Sequence, residues 1–346
     1  MAKRWQRRPE GSNWGEFGAD DQLGRLNLLT SERRRQAAAE VREGVAFCLS
    51  LPLDYPGGNV LNPRRHPPRR FATLRRGAQN FNFALRAYDP AFTDVLSDDC
   101  VLIHTQYSTQ WDSFAHAGSL FDADGDGVPE IVYYNGWRGG EHVVGVEPNP
   151  AAEPWARYEG VEAKSLGIET MAATCVQGRG VLVDLHAHFG RARQLVGYDE
   201  LMAVMAADRV AVEPGDMVCL YTGFGDLLLE MNRRPEPEPL ENSCAVLNGR
   251  DAALLRWISE SGVVALIADN YAVEAFPAVP GQGLHAALPL HEHCLFKLGL
   301  PLGELWYLTE LAGWLRAHGR SRFLLTAPPL RLPGAVGSPA TPVATV

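Results

Sequence analysis

The stretch His104-Thr105-Gln106-Tyr107-Ser108-Thr109-Gln110-Trp111-Asp112-Ser113-Phe114-Ala115-His116 sets ligand-capable and proton-carrying side chains at short intervals, directly after the apolar residues 101–103. In an extended backbone, side chains two apart share a face. Gln106, Gln110 and Asp112 would then project together, and His116 joins them if the strand continues. Three oxygen donors on one face make a candidate metal site, and a histidine just beyond is a candidate proton carrier. The plain alternative is a polar strand edge with a satisfied histidine, and spacing alone leaves both open. Far down the chain, His291 and His293 are wrongly spaced to share a face of a helix, so at most one of them faces a site and the other is expected at the surface.

The elements that would position these groups are a mixture. Strand patterns occur at residues 180–185, 216–222, 263–268 and 323–327, each bounded by Gly, Pro or Asp on at least one side. Helical patterns cover 198–207, 250–261, 290–298 and 303–318. A further helix starts at Thr30-Ser31-Glu32 and can end at Gly44, with a strand over 45–53 after it. Strands alternating with helices, without a repeat of solenoid period, give an α/β or α+β class. The small, Pro-rich tail of residues 334–346 either wraps the body or frays.

Bulk properties narrow the function classes. The 346 residues are 46% hydrophobic and 21% charged, an ordinary globular composition, and the net charge of −9 argues against a general nucleic-acid binder. No apolar run approaches the length of a membrane helix, and the basic start of the chain leads into Gly11-Ser12-Asn13 instead of an apolar segment. The expected partner is a small-molecule substrate, with no nucleic acid and no membrane. Six scattered cysteines without a CxxC pair read as reduced core thiols of a cytoplasmic protein.

Three weaker signals lie elsewhere in the chain. Asp122-Ala123-Asp124-Gly125-Asp126-Gly127 imitates the opening of a calcium loop, but Tyr133 stands where a bidentate Glu is needed, so an acidic loop is the better account. Residues 63–70, rich in Pro and Arg, read either as a patch for an anionic ligand or as a solvated loop, the second being the commoner case. Trp111, Phe114 and Trp137, with Phe81 and Phe83, would suit a pocket for a flat aromatic substrate, although core packing explains any one of them equally well.

The stretch from Gln106 to His116 resembles the hallmark H-x-G-T-H-x-D-x-P-x-H of the cyclase family of metal-dependent hydrolases, which includes kynurenine formamidase, isatin hydrolase and polyketide cyclases. Thr109, Asp112 and His116 match it; Gln106 and Gln110 replace two metal-binding histidines, and Ser108 and Phe114 replace Gly and Pro. The resemblance continues in order through Asn13-Trp14-Gly15, Asp20-Asp21-Gln22-Leu23-Gly24, Tyr134-Asn135-Gly136, Gly178-Arg179-Gly180, Pro214-Gly215-Asp216, Ala268-Asp269-Asn270 with Val273-Glu274, and Gly337-Ser338-Pro339. It therefore covers nearly the whole chain.

The resemblance implies an α/β swivelling fold with a mixed β-barrel-like core flanked by helices, as one domain over 1–346. Residues 1–60 would be an N-terminal extension packing on that core, and the assembly a homodimer or homotetramer. It also implies roles: Gln106, Gln110, Asp112 and His291 as metal ligands, His116 and Glu304 as the proton-handling pair, with His293 as the other candidate counterpart of His291. The implied reaction is hydrolysis of an amide, lactam or lactone, assisted by a divalent Mn or Zn ion; the rivals are ring-forming cyclase chemistry, metal-free acid/base chemistry and a non-catalytic binding protein. Because an amide oxygen is a neutral, harder donor than imidazole, the two glutamines should weaken zinc binding and move preference toward Mn²⁺ or Mg²⁺.

Overall fold

The structure, a computed structural model, describes residues 4–153 and 156–346. Nine strands pair into one sheet: β1 (Ala46–Cys48), β2 (Gln110–Asp112), β3 (Gln177–Asp184), β4 (Met217–Tyr221), β5 (Ala265–Ala268), β6 (Leu302–Glu304), β7 (Arg322–Thr326), β8 (Gly337–Pro339) and β9 (Val343–Thr345). Their spatial order is β1-β9-β7-β3-β4-β5-β6-β2-β8, curled into a half-barrel. The middle four, β3 to β6, are parallel, and β6 meets β2 antiparallel.

The composition of the parallel strands explains their place. All five residues of β4 and all four of β5 are buried, as a sheet covered on both faces requires of near-continuous apolar runs. On one face, Val183, Val218, Leu220 and Leu266 pack with residues of helices α2 (Tyr198–Ala207) and α3 (Ala252–Glu260), α1 being the early helix Ser31–Ala38. On the other, Leu182, Cys219 and Ile267 pack with Leu311 and Leu315 of α4 (Thr309–Ala317). Each fully buried aliphatic side chain there contributes about 1.5–3 kcal/mol. Helix α3 begins where Asp251 accepts hydrogen bonds from the Ala253 and Leu254 amides, the standard side-chain cap for orphan N–H groups.

Several sequence expectations need correction. The helix expected over 303–318 is two elements, because Leu302–Glu304 completes the parallel sheet and only Thr309–Ala317 is helical. The pattern over 290–298 resolves into a short α-helical turn, Pro289–His291, and a π-helical segment, Glu292–Leu298. The first helix stops at Ala38, well before Gly44, and the strand after it is three residues long. Among the cysteines, Cys48, Cys100 and Cys175 are exposed and not in the core. The tail wraps: β8 lies along β2, and β9 inserts between β1 and β7.

Two peripheral regions differ in how tightly they are held. The N-terminal segment clamps the π-helical stretch, with the buried Trp14 indole donating to the Phe296 carbonyl at 2.8 Å and Asn13 donating to the Leu298 carbonyl at 2.9 Å. Residues 69–102 form short two-stranded ribbons in which Asn80 alone is buried. Phe81 lies exposed on that arm, away from the core. Among the described residues, no helix is long and apolar enough to cross a membrane.

Candidate active site

The carboxyl ends of β5 and β6 and the adjoining start of β2 deliver the candidate groups to one place. Glu304 closes β6 and lies in register with Gln110 of β2, so both side chains leave the sheet side by side. Asp112 follows two residues later on the same face, while Trp111 points the opposite way. Gln106 sits in the turn before β2, where Tyr107 N–H closes on the His104 carbonyl, and reaches Asp112 from there. That reach depends on Gly337 of β8: a Cβ at this position would come within 2.5 Å of the Gln106 side chain. His291 arrives from the helical turn that follows the long loop after β5.

The polar contacts form a closed chain. Gln106 Nε2 donates to Asp112 Oδ1 in a very short contact, and Gln110 Nε2 donates to Glu304 Oε2 at 3.0 Å. His291 Nε2 stands 3.2 Å from Glu304 Oε1 and 3.9 Å from Asp112 Oδ2. Its other ring nitrogen, Nδ1, is 2.8 Å from Glu274 Oε1. Glu274 is fully buried and also accepts the backbone N–H groups of Leu290 and His291, so one carboxylate fixes both the start of this helical turn and the ring of the histidine. His116 is half-buried, with its ring centroid 6.3 Å from that of His291.

Electrostatics follow from packing three carboxylates together out of water. Burial, reinforced by the neighbouring Glu304 charge, pushes the Asp112 carboxyl up, against the opposing pull of His116, His291 and the Gln106 amide. Burial alone would raise Glu304 as well, but the hydrogen bond and charge of His291 hold it below the ordinary carboxylate value. For His291, burial opposes the charged ring, and hydrogen bonds to Glu274 and Glu304 overcome it, raising the pKa to about 10. In this geometry the imidazolium is the cation that offsets the buried carboxylates.

A family model named Cyclase matches residues 49–275. A solved structure described as a novel cyclase is 30% identical, with 97% of each chain covered and a TM-score of 0.72. The chain belongs to the cyclase family. Isatin hydrolase A from Ralstonia solanacearum shares the fold at 15% identity and a TM-score of 0.53, covering 89% of this chain and 93% of that one. An isatin hydrolase bound to the product analogue thioisatinate shares it at 12% identity and a TM-score of 0.51, covering 89% and 94%. No curated protein sequence matches the chain.

The residues of this cyclase-family chain fit a divalent cation. Asp112, His116 and His291 each offer a ligand atom, all within 4.8 Å of one another. Two buried acceptors in the same place, Asp112 Oδ2 and Gln110 Oε1, have no hydrogen-bond partner, and buried acceptors without a donor call for a cation or water. The His291 ring is anchored through Nδ1 to Glu274, the arrangement that leaves Nε2 facing a metal. Turning either glutamine amide about its last bond replaces N–H by oxygen, so the same side chains can neutralise the carboxylates or join them as ligands.

Other expectations fare differently. His293 is buried and not at the surface: its Nε2 shares a 2.9 Å hydrogen bond with Ser259 Oγ, and burial lowers its pKa to about 4. The three aromatic side chains expected to line a flat-substrate pocket are all buried. Trp111 is fully buried, its indole donating to the Ala327 carbonyl and its ring packing edge-on against Trp306. Phe114 packs on Tyr134, and Trp137 donates to the Asp21 carbonyl beneath the Arg4 guanidinium. The carboxylates of Asp122, Asp124 and Asp126 lie close together, but they accept hydrogen bonds from the amides of their own loop, and Asp122 also pairs with Arg7. Glu274 is the residue that sequence reasoning passed over. Its signal was its place in the Val273-Glu274 likeness, without any hint of what it would touch.

Proposed function

We propose that this protein hydrolyses an amide, lactam or lactone bond of a small molecule, with a divalent cation, Mn or Zn, held by Asp112 and His291 and supported by Gln106 and Gln110. The observation that carries this reading is the pair of partnerless buried acceptors beside a histidine whose far nitrogen is tied to a carboxylate. When bound, such an ion supplies Lewis-acid polarisation of a carbonyl and lowers the pKa of a water, to roughly 7 for zinc.

The chain's own residues would do the rest. His116, half-buried, removes a proton from the attacking water and returns it to the leaving nitrogen or oxygen. Glu304, held below the ordinary carboxylate range by its neighbours, accepts the Gln110 amide N–H and so orients that side chain, and it can carry a proton to or from the reacting group. Glu274 keeps the His291 ring from rotating.

A second reading has its own support. The Gln106 and Gln110 amides and the His291 imidazolium already give Asp112 and Glu304 hydrogen-bond and charge partners from the chain itself, which suits acid/base ring closure or isomerisation. Elemental analysis after expression with Mn, Zn and Mg, followed by assays on N-formyl aryl amines, isatin-like lactams and lactones, separates the two. Stoichiometric metal with turnover of one class upholds hydrolysis; absence of all three metals together with no turnover removes it.

A further inference from the structure

We infer that the substrate carries a carboxylate, which Arg65 and Tyr271 receive in the small cavity on the Gln106 side of the site. This rests on the proposed site but not on the reaction assigned to it.

The cavity is walled by Arg65, Gln106, Asn62, Tyr271 and Leu305. Two of its walls belong to the active site itself, since Gln106 donates to Asp112 and Leu305 follows Glu304 directly. A guanidinium has five N–H donors, and Arg65 uses one, from Nη1 to the Gln106 carbonyl at 2.6 Å. Among the described residues it forms no ion pair. The contact fixes the plane of the guanidinium beside the cavity and leaves its other donors unengaged, the state in which arginine binds a carboxylate through two parallel hydrogen bonds.

Tyr271 is set up for the same ligand. Asn62, buried at the cavity wall, accepts from Arg64 N–H through Oδ1 and therefore presents its amide N–H₂ to the Tyr271 oxygen, 3.1 Å away. With its oxygen accepting there, the tyrosine keeps its proton for a partner in the cavity. A guanidinium and a hydroxyl donor converge, with no acceptor among the described residues to satisfy them. The charge logic agrees. Asp112, Glu274 and Glu304 would repel an anionic substrate, and Arg65 supplies the local positive charge that lets one side of the molecule approach.

Benzoate and its neutral counterpart benzamide test this by calorimetric titration of the full-length protein, with melting curves to verify each variant's fold. The wild type should bind benzoate on the order of tenfold more tightly than benzamide. Arg65→Met should erase that preference. Tyr271→Phe, which leaves the Gln106 contact untouched, should reduce it severalfold, so the proposal stays testable if Arg65→Met folds poorly. Equal affinity of the wild type for both ligands, or the same loss for both in the variants, overturns the subsite. Because binding is read without turnover, a benzoate preference in a protein that hydrolyses nothing would discard the reaction and keep the subsite, and active protein without the preference would do the reverse.

Discussion

The two ends of the parallel strands carry buried charge in opposite ways. At the amino ends, Arg179 of β3 donates to both oxygens of Asp216, at 2.7 and 3.1 Å, and its Nη2 lies 2.9 Å from Glu213. Glu213 in turn pairs with Arg322 at 2.8 Å, while its own N–H donates to Asp216. Every charge there has an opposite partner. At the carboxyl ends, three carboxylates crowd one histidine, and Asp112 Oδ2 and Gln110 Oε1 have no donor. Complete satisfaction marks a cluster that holds the sheet together; incomplete satisfaction marks one kept for a ligand. Ligand sites of open α/β sheets form at this carboxyl edge, so the placement agrees with the polarity.

The most damaging way to probe the contrast is at the satisfied end. Arg179→Met strands Asp216, which is almost fully buried, without its cation, and should cost about 3–5 kcal/mol of stability. Chemical denaturation measures this; a loss under 1 kcal/mol would mean the amino-end cluster is not structural. At the other end, His116→Ala should leave the denaturation midpoint in place and lower turnover on the order of 10²-fold or more. An unchanged rate would remove His116 from the mechanism.

Asp112→Asn sharpens the comparison further, because the two ends then respond with opposite signs. Replacing a carboxylate that burial and Glu304 both disfavour should raise stability by roughly 1 kcal/mol while abolishing metal retention and activity. A variant both inactive and strongly destabilised would show Asp112 to be a structural anchor like Asp216.

How much of this was legible in the sequence follows from the range of the interactions. The apolar runs of β3, β4 and β5 were plain because buried parallel strands are written locally, as was the helix over 198–207. Gln106, Gln110, Asp112 and His116 could be singled out from a period of two within one short stretch. Their meeting with His291 and Glu304, from nearly two hundred residues away, came from the family resemblance and not from any pattern. Glu304 read as helical because its strand is only three residues long and flows into helix-forming sequence. Trp111 and Phe114 read as pocket residues because sequence gives proximity but not direction; alternation along β2 sends Trp111 into the core. Glu274 was illegible as a site residue because what it touches is set by loops, where no periodicity operates, and the Arg-rich stretch 63–70 could be read only as an anionic-ligand patch or a solvated loop.

The smallest expected effect is a titration at the amino end. The hydrogen bond from Arg179, with help from Arg322, lowers the Glu213 carboxyl from its ordinary 4.5 to about 2. A carboxyl whose pKa is depressed on folding stabilises the native state above its unfolded value and loses that contribution as pH falls toward the folded one. The window is therefore between about pH 4.5 and 2. Glu213 is partly exposed, so solvent screens the pairing and the effect on stability is modest. Glu213→Gln should flatten the acid limb of the melting temperature in that window by lowering the neutral plateau by the same modest amount, with the curves of wild type and variant meeting near pH 2, since Arg179 retains Asp216. Parallel curves for wild type and variant down to pH 2 would show that Asp216 alone balances Arg179, and that the amino end carries one essential pair instead of a network.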